Sequence, residues 1–152
     1  MAWSEETGSN GEDLAVSHNG QFFAAPNGAP YNIRLFRTLD GGVLGTLNTG
    51  PYPSEITFSP DDSLAYAAHT AGQIDVFRTS TFLSDGPIPV TGEPDELIVD
   101  ETGSYLFASF GSQIRVYATG VPEPSGIVLI LLGTLMVSIG PAIKCTKVCN
   151  GK

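Results

Sequence analysis

Cysteine is missing from almost all of this 152-residue chain; the two present, Cys145 and Cys149, stand in its extreme tail. No disulfide framework can hold the body, so its stability has to come from packing. Basic residues are nearly as scarce. Up to Gly120 there are four, Arg34, Arg37, Arg78 and Arg115, against fifteen acids, and the first lysine is Lys144. Scattered guanidiniums on an acidic body cannot assemble the basic surface that phosphate backbones require, which excludes nucleic acid as a partner. The sequence contains no Gly-x-Ser-x-Gly, no His-Glu-x-x-His and no loop of alternating oxygen ligands ending in glutamate. Nucleophile-elbow hydrolysis, zinc proteolysis and EF-hand calcium binding therefore lack their motifs. The two histidines, His18 and His69, fall in a turn and at a strand end, where local hydrogen bonding accounts for them. Asp40, Asp61, Asp62 and Asp85 fall in turn-like stretches, where a short carboxylate satisfies nearby backbone donors. On these grounds no catalytic residue, metal or cofactor is assigned. An apolar export signal is also missing at the start, where Glu5, Glu6 and Asn10 stand, and the chain is expected to be a fragment of a longer protein or the product of a truncated gene.

Glycine (18) and proline (11) are abundant, as many short strands joined by tight turns require. Three stretches fall into register: DLAVSHNGQFFAAPNG with YNIRLFR from Asp13, EITFSPDDSLAYAAHTAGQIDVFR from Glu55, and ELIVDETGSYLFASFGSQIRVYA from Glu96. Ser17, Ser59 and Asp100 correspond, as do Ile33, Ile74 and Ile114, at a period near forty residues. Each unit reads as a short strand with alternating apolar residues (Leu14 and Val16, Ile56 and Phe58, Leu97 and Val99), then a turn, then second strands at 22–25, 64–68 and 105–109. Third strands follow at 33–36, 74–77 and 114–117, where a charged residue between apolar ones is expected to face solvent. Fourth, outer strands are expected at 43–49 and 88–91 but not in the third unit, whose edge would stay open unless residues 2–6 or another chain covered it.

Four-stranded units at this period are the signature of stacked propeller blades. The Gly50 to Pro53 approach, the Ser-Pro-Asp turn and the Leu-Ala-Tyr-Ala strand resemble the YVTN-type repeats of lactonase-like and WD40-like β-propellers. The fold class that follows is all-β, a partial β-propeller of about three blades (13–49, 50–91 and 92–120) after a partial strand or disordered segment at 1–12, with one C-terminal transmembrane α-helix. A β-sandwich is the structural alternative.

The helix is read from residues 126–143, GIVLILLGTLMVSIGPAI, eighteen positions without a charge. At 1.5 Å per residue they would span about 27 Å, near the thickness of a bilayer core. Lys144, Lys147 and Lys152 follow, while an acidic body precedes, so the basic tail 144–152 is expected in the cytoplasm and the body outside. Before the helix, Val121, Pro122, Glu123, Pro124 and Ser125 form a stalk that neither helix nor strand can run through. Stalk, apolar helix and basic end in this order resemble the PEP-CTERM sorting signal of Gram-negative bacteria, although three spaced lysines replace the family's compact arginine cluster. The resemblance implies an exosortase-type membrane protease as partner, residence in the inner membrane before processing, and release or attachment at the cell surface afterwards. The function expected is a noncatalytic binding or scaffold protein for polysaccharide or protein at the surface; the alternative is a fragment of a lactonase-like or dehydrogenase-like propeller enzyme.

Overall fold

The computed structural model describes Ser4, Glu6, Thr7 and residues 13–120. The stalk 121–125, the expected helix 126–143 and the basic tail 144–152 lie outside the described residues, so the sorting motif and Lys144, Lys147 and Lys152 have no described position. Among the described residues no helix is long and apolar enough to cross a membrane.

Three antiparallel sheets follow one another along the chain. The first is β1 (Ala15–Val16), β2 (Phe22–Gly28), β3 (Tyr31–Arg37) and β4 (Val43–Leu47), each paired with the next. The second repeats this with β5 (Pro53–Phe58), β6 (Leu64–His69), β7 (Gln73–Arg78) and β8 (Ser84–Pro89). The third has β9 (Glu96–Val99), β10 (Tyr105–Phe110) and β11 (Gln113–Ala118), with no fourth strand among the described residues. Two boundaries differ from expectation. The strand β2 runs on through Pro26, Asn27 and Gly28, and β8 takes in Gly86 and Pro87, which read as turn residues. The outer strand β8 has a free side, and residues 26–28 of β2 lie beyond the end of the two-residue β1, so in both places proline's missing N–H and glycine's missing side chain are tolerated.

The repeat is written in the hydrogen bonds of its first turn. The N–H groups of Ser17, Ser59 and Asp100 donate to the carbonyls of Phe22, Leu64 and Tyr105, five residues on, at 2.9, 2.9 and 3.0 Å. Their side-chain oxygens accept from the N–H of the same three residues at 3.1, 2.9 and 2.7 Å. Their carbonyls accept from Gly20, Asp62 and Gly103, all of which have left-handed backbones with φ of 69°, 59° and 73°. A turn of this kind needs a side-chain acceptor at its first position and a residue tolerant of positive φ at its fourth, and serine, aspartate and glycine are the residues that supply them. In the third turn the Thr102 hydroxyl and the Tyr105 N–H hold the Asp100 carboxyl below its ordinary range.

Each sheet has two faces, and the second packs a described neighbouring sheet against both. Its rear face, with Ile56, Phe58, Ala65, Ala67 and Phe77, packs on Ala24, Leu35 and Leu47 of the first sheet. Its front face, with Tyr66, Ala68 and Ile74, packs on Leu97, Leu106 and Ala108 of the third. Leu14 and Val16, expected to be buried, are 58% and 56% exposed. They occupy the positions of Ile56 and Phe58, but on the rear face of the first sheet, where no preceding sheet among the described residues covers them, although Ala25 and Phe36 on the same face are buried. Ala15, between them, points forward and packs against the core.

Successive turns are also tied to each other, but only at the first junction. Asp62 reaches back to the first turn, where its carboxylate accepts the N–H groups of His18 and Asn19 at 2.7 and 2.9 Å and lies 3.2 Å from His18 Nδ1. At the second junction Pro60 stands where His18 stood and has no N–H to give, and Gly103 stands where Asp62 stood. A Cβ on Gly103 would lie 3.4 Å from Pro60 Cδ. The space left open there is a cleft of about 370 Å³ lined by Ser59, Asp61, Glu101 and Thr102, with the Tyr66 hydroxyl buried at its edge.

Asp62→Gly keeps the left-handed turn but removes the clasp, so it should lower unfolding stability by about 1–2 kcal/mol, the range of hydrogen bonds to a charged group less some relief of the backbone. Asp62→Ala loses the clasp and strains the turn as well. Urea denaturation should therefore rank the variants wild type, then glycine, then alanine.

Candidate functional site

At the end of the sheets opposite these turns, each linker arrives from the preceding sheet and is gripped by the charged residue of the third strand. Gly50 N–H donates to Asp75 Oδ2 at 3.2 Å, and Arg115 Nη1 donates to the Thr91 carbonyl at 2.7 Å. In the first sheet the equivalent Arg34 Nη1 donates to the Glu6 carbonyl at 3.2 Å. These three residues were expected to face solvent. The structure corrects this: Asp75 is buried, Arg34 and Arg115 are half-buried, and beside Arg115 the apolar Ile114 and Val116 are the exposed ones. A chain entering a sheet brings unpaired backbone groups, and a charged side chain on the rear face satisfies them.

His69 belongs to the same clamp. Its ring is 1% exposed, Nδ1 accepts the Ala71 N–H at 3.2 Å, and Nε2 lies 3.3 Å from Asp75 Oδ2 without an aligned hydrogen bond. The acceptor role of Nδ1 puts the ring proton on Nε2, facing the carboxylate. Gln73 Nε2 donates to the other carboxylate oxygen at 2.8 Å. The imidazole therefore packs under the linker, and a Cβ on Gly50 would fall 2.2 Å from its Cε1. In the first sheet Asn27 and Asn32 take the places of His69 and Gln73, hydrogen-bonded to each other at 2.9 Å.

Among the described residues three that are not glycine have left-handed backbones, and they differ in what compensates them. Asp62 makes the clasp. Phe82, with φ of 60°, drives its ring against the first sheet where β4 carries Gly45; a Cβ there would lie 2.5 Å from the ring. Tyr52, with φ of 51°, has no comparable burial and is 55% exposed. Its ring lies 4.7 Å from that of Tyr31, tilted by 52°, and Tyr31 is itself 42% exposed. The hydrogen bond with the Tyr52 phenol raises the Tyr31 pKa above its usual value. A bulky residue at positive φ costs of order 1 kcal/mol, and such strain concentrates where a side chain must be aimed. The two rings form an aromatic ridge over the first junction, at the linker end. Sequence reasoning missed it because Tyr31 and Tyr52 lie far apart in the chain, and nothing in Gly-Pro-Tyr-Pro announces a left-handed tyrosine.

The carboxylates read from sequence as turn residues are engaged one by one, although Asp85 lies within β8 and not in a turn. Asp40 pairs with Arg37 at 2.8 Å, Asp85 takes both oxygens to Arg78, and Asp61 accepts from Ser59 and Ser63, hydroxyls that hold its carboxyl below the ordinary range. His18 is bound to Asp62.

Gly50→Ala forces a methyl into the buried His69 ring and should destabilise the fold by about 1–3 kcal/mol, the usual cost of overpacking. His69→Ala in that background should recover part of the loss, so a double-mutant cycle by thermal unfolding should show coupling between the two positions.

No family model matches this chain, and no curated protein does. Solved structures do resemble it. One is a hydrazine synthase from Kuenenia stuttgartiensis, with a TM-score of 0.69 and 16% identity over 72% of this chain and 33% of that one. Another is the β-propeller domain of Cps50 (Swd1) from Myceliophteria thermophila, with a TM-score of 0.68 and 11% identity over 78% of this chain and 38% of that one. The chain spans 33% of the one and 38% of the other, and what the likeness shows is the fold: its three sheets are β-propeller-like blades.

Proposed function

We propose that this chain is a propeller module carried across the inner membrane, anchored there by residues 126–143, and sorted through Val121–Pro122–Glu123–Pro124–Ser125 to the cell surface, where it binds rather than catalyses. The sorting part rests on the sequence: a proline stalk, eighteen uncharged residues and a lysine-only tail in that order. The binding part rests chiefly on Tyr52, a strained and exposed aromatic paired with Tyr31 on an otherwise acidic body. Two tilted phenols offer apolar faces with hydroxyl edges, the chemistry that sugar rings and flat polar polymers stack upon, so an extracellular polysaccharide is the ligand class that fits. The binding reading also draws on how the two histidines are used, since His69 is sealed under a linker and His18 is tied to Asp62.

Tyr52→Gly separates recognition from stability. Glycine adopts the left-handed backbone freely, so the unfolding midpoint should stay level or rise, while binding to polysaccharide from the producing cells should weaken tenfold or more. Unchanged binding in a pull-down on immobilised polysaccharide would remove the ridge as the site. For sorting, the measurement is fractionation of producing cells. A shortened form lacking the tail is expected outside the inner membrane, and full-length chain confined to the cytoplasm would refute export.

A further inference from the structure

The cleft between the second and third turns arises where the repeat departs from itself. At the first junction Asp62 closes the gap by clasping the first turn, and His18 Nδ1 stands 3.2 Å from its carboxylate. At the second junction Gly103 and Pro60 hold the corresponding places and leave about 370 Å³ open. The place of Tyr66 is taken by Ala24 in the first sheet and by Phe107 in the third, so of the three only the residue at this cleft carries a hydroxyl. Tyr66 is 1% exposed, and that hydroxyl has no hydrogen-bond partner. The Thr119 hydroxyl close to it is given to the Gly103 carbonyl. Burial, and after it the negative charges of Asp61 and Asp85, push the phenol above its usual pKa, although Thr119 moderates the rise. A buried hydroxyl with nothing to bind is costly to keep, and a phenylalanine ring would fill the same place without that cost.

The rest of the cleft is anionic at its mouth and apolar along its wall. Asp61 and Glu101 are exposed there, and the hydrogen bonds from Ser59 and Ser63 all reach Asp61 through Oδ1, which leaves Oδ2 for a donor from outside. Pro60 and Leu64 line the cleft beside them. Every arginine among the described residues is held elsewhere: Arg34 by Glu6, Arg37 by Asp40, Arg78 by Asp85 and Arg115 by Thr91. We propose that this cleft receives an arginine side chain of a partner protein, its stem on Pro60 and Leu64 and its guanidinium shared among Asp61, Glu101 and the Tyr66 hydroxyl. A guanidinium carries donors on all its nitrogens and no acceptor, which suits two carboxylates and a phenol oxygen approaching from different sides. It is more weakly hydrated than an ammonium, so it enters a half-enclosed site more readily than lysine does, and its methylenes cover apolar wall. Calcium fits less well, because it takes about six to eight oxygens and no group of three or more acids, histidines or cysteines is gathered for a metal among the described residues. The site lies at the opposite end of the blades from the tyrosine ridge.

The inference rests neither on the ridge nor on sorting, and its test titrates the isotopically labelled full chain, in mild detergent, with the blocked amino acid N-acetylarginine methylamide. Backbone amides of Ser63, Thr102 and Gly103 should shift saturably in nuclear magnetic resonance spectra, and added salt should weaken the binding. The same blocked derivative of lysine should bind more weakly, and glucosamine and calcium chloride should leave those amides unmoved. Tyr66→Phe removes one oxygen and nothing else, so it should weaken the arginine probe about three- to tenfold, the worth of one hydrogen bond, while the unfolding midpoint stays level or rises. Glu101→Gln, on the exposed side, should weaken the probe by a similar factor with the midpoint unchanged. The absence of saturable shifts, equal binding of the lysine derivative, glucosamine or calcium at those amides, arginine binding indifferent to Tyr66→Phe, or a midpoint lowered by that substitution would each overturn the arginine site.

Discussion

A β-sheet with apolar side chains on both faces cannot end in water without cost, and the organisation of this chain follows from that constraint. Strand alternation sends Tyr66 forward and Ala65 and Ala67 backward from the same strand, so the second blade must be covered twice. Each buried Leu, Ile or Phe contributes roughly 1.5–3 kcal/mol, and ordering the backbone costs about 1–2 kcal/mol per residue, so one blade alone cannot persist. Stability in such a stack accumulates junction by junction.

Apolar stacking is non-directional, and polar contacts fix how the blades are set. On the turn side, Asp62 clasps His18 and Asn19. On the linker side, Asp75 and Arg115 hold the entering chain by its backbone. The chemistry of each clamp follows its partner: an acid takes a linker N–H, an arginine takes a linker carbonyl, and a proline that offers no N–H is met by a glycine with nothing to accept. These within-chain substitutions explain why the repeats look weak as sequence while their geometry stays constant.

That also decides what could be read in advance. The blade period, the turns and the strand order were legible because they depend on local chemistry, an oxygen at Ser17, Ser59 or Asp100 and a left-handed residue three positions on. Which face of a strand is covered was not, because it depends on neighbours: Val16 and Phe58 occupy the same place in the repeat and have opposite surroundings. The solvent-facing reading of Arg34, Asp75 and Arg115 failed for the same reason, since a charge between apolar residues looks alike whether water or a linker satisfies it. Of the candidate site, the histidines and the turn acids Asp40, Asp61 and Asp62 could be placed from sequence, but Asp85, which lies within β8, and the Tyr31 and Tyr52 ridge, which needed the linker's path, could not.

The left-handed residues show where this fold keeps strain and what compensates it. Asp62 is repaid by two backbone donors, and Phe82 by a ring seated where Gly45 has made room. Either strain is part of a junction, so losing the compensation would loosen the stack. Tyr52 stands outside this pattern, because its ring closes no junction and buries little, and a glycine at that position would fold at least as well. A residue that the packing does not require, held in a conformation that the backbone disfavours, is best explained by something it meets outside the chain.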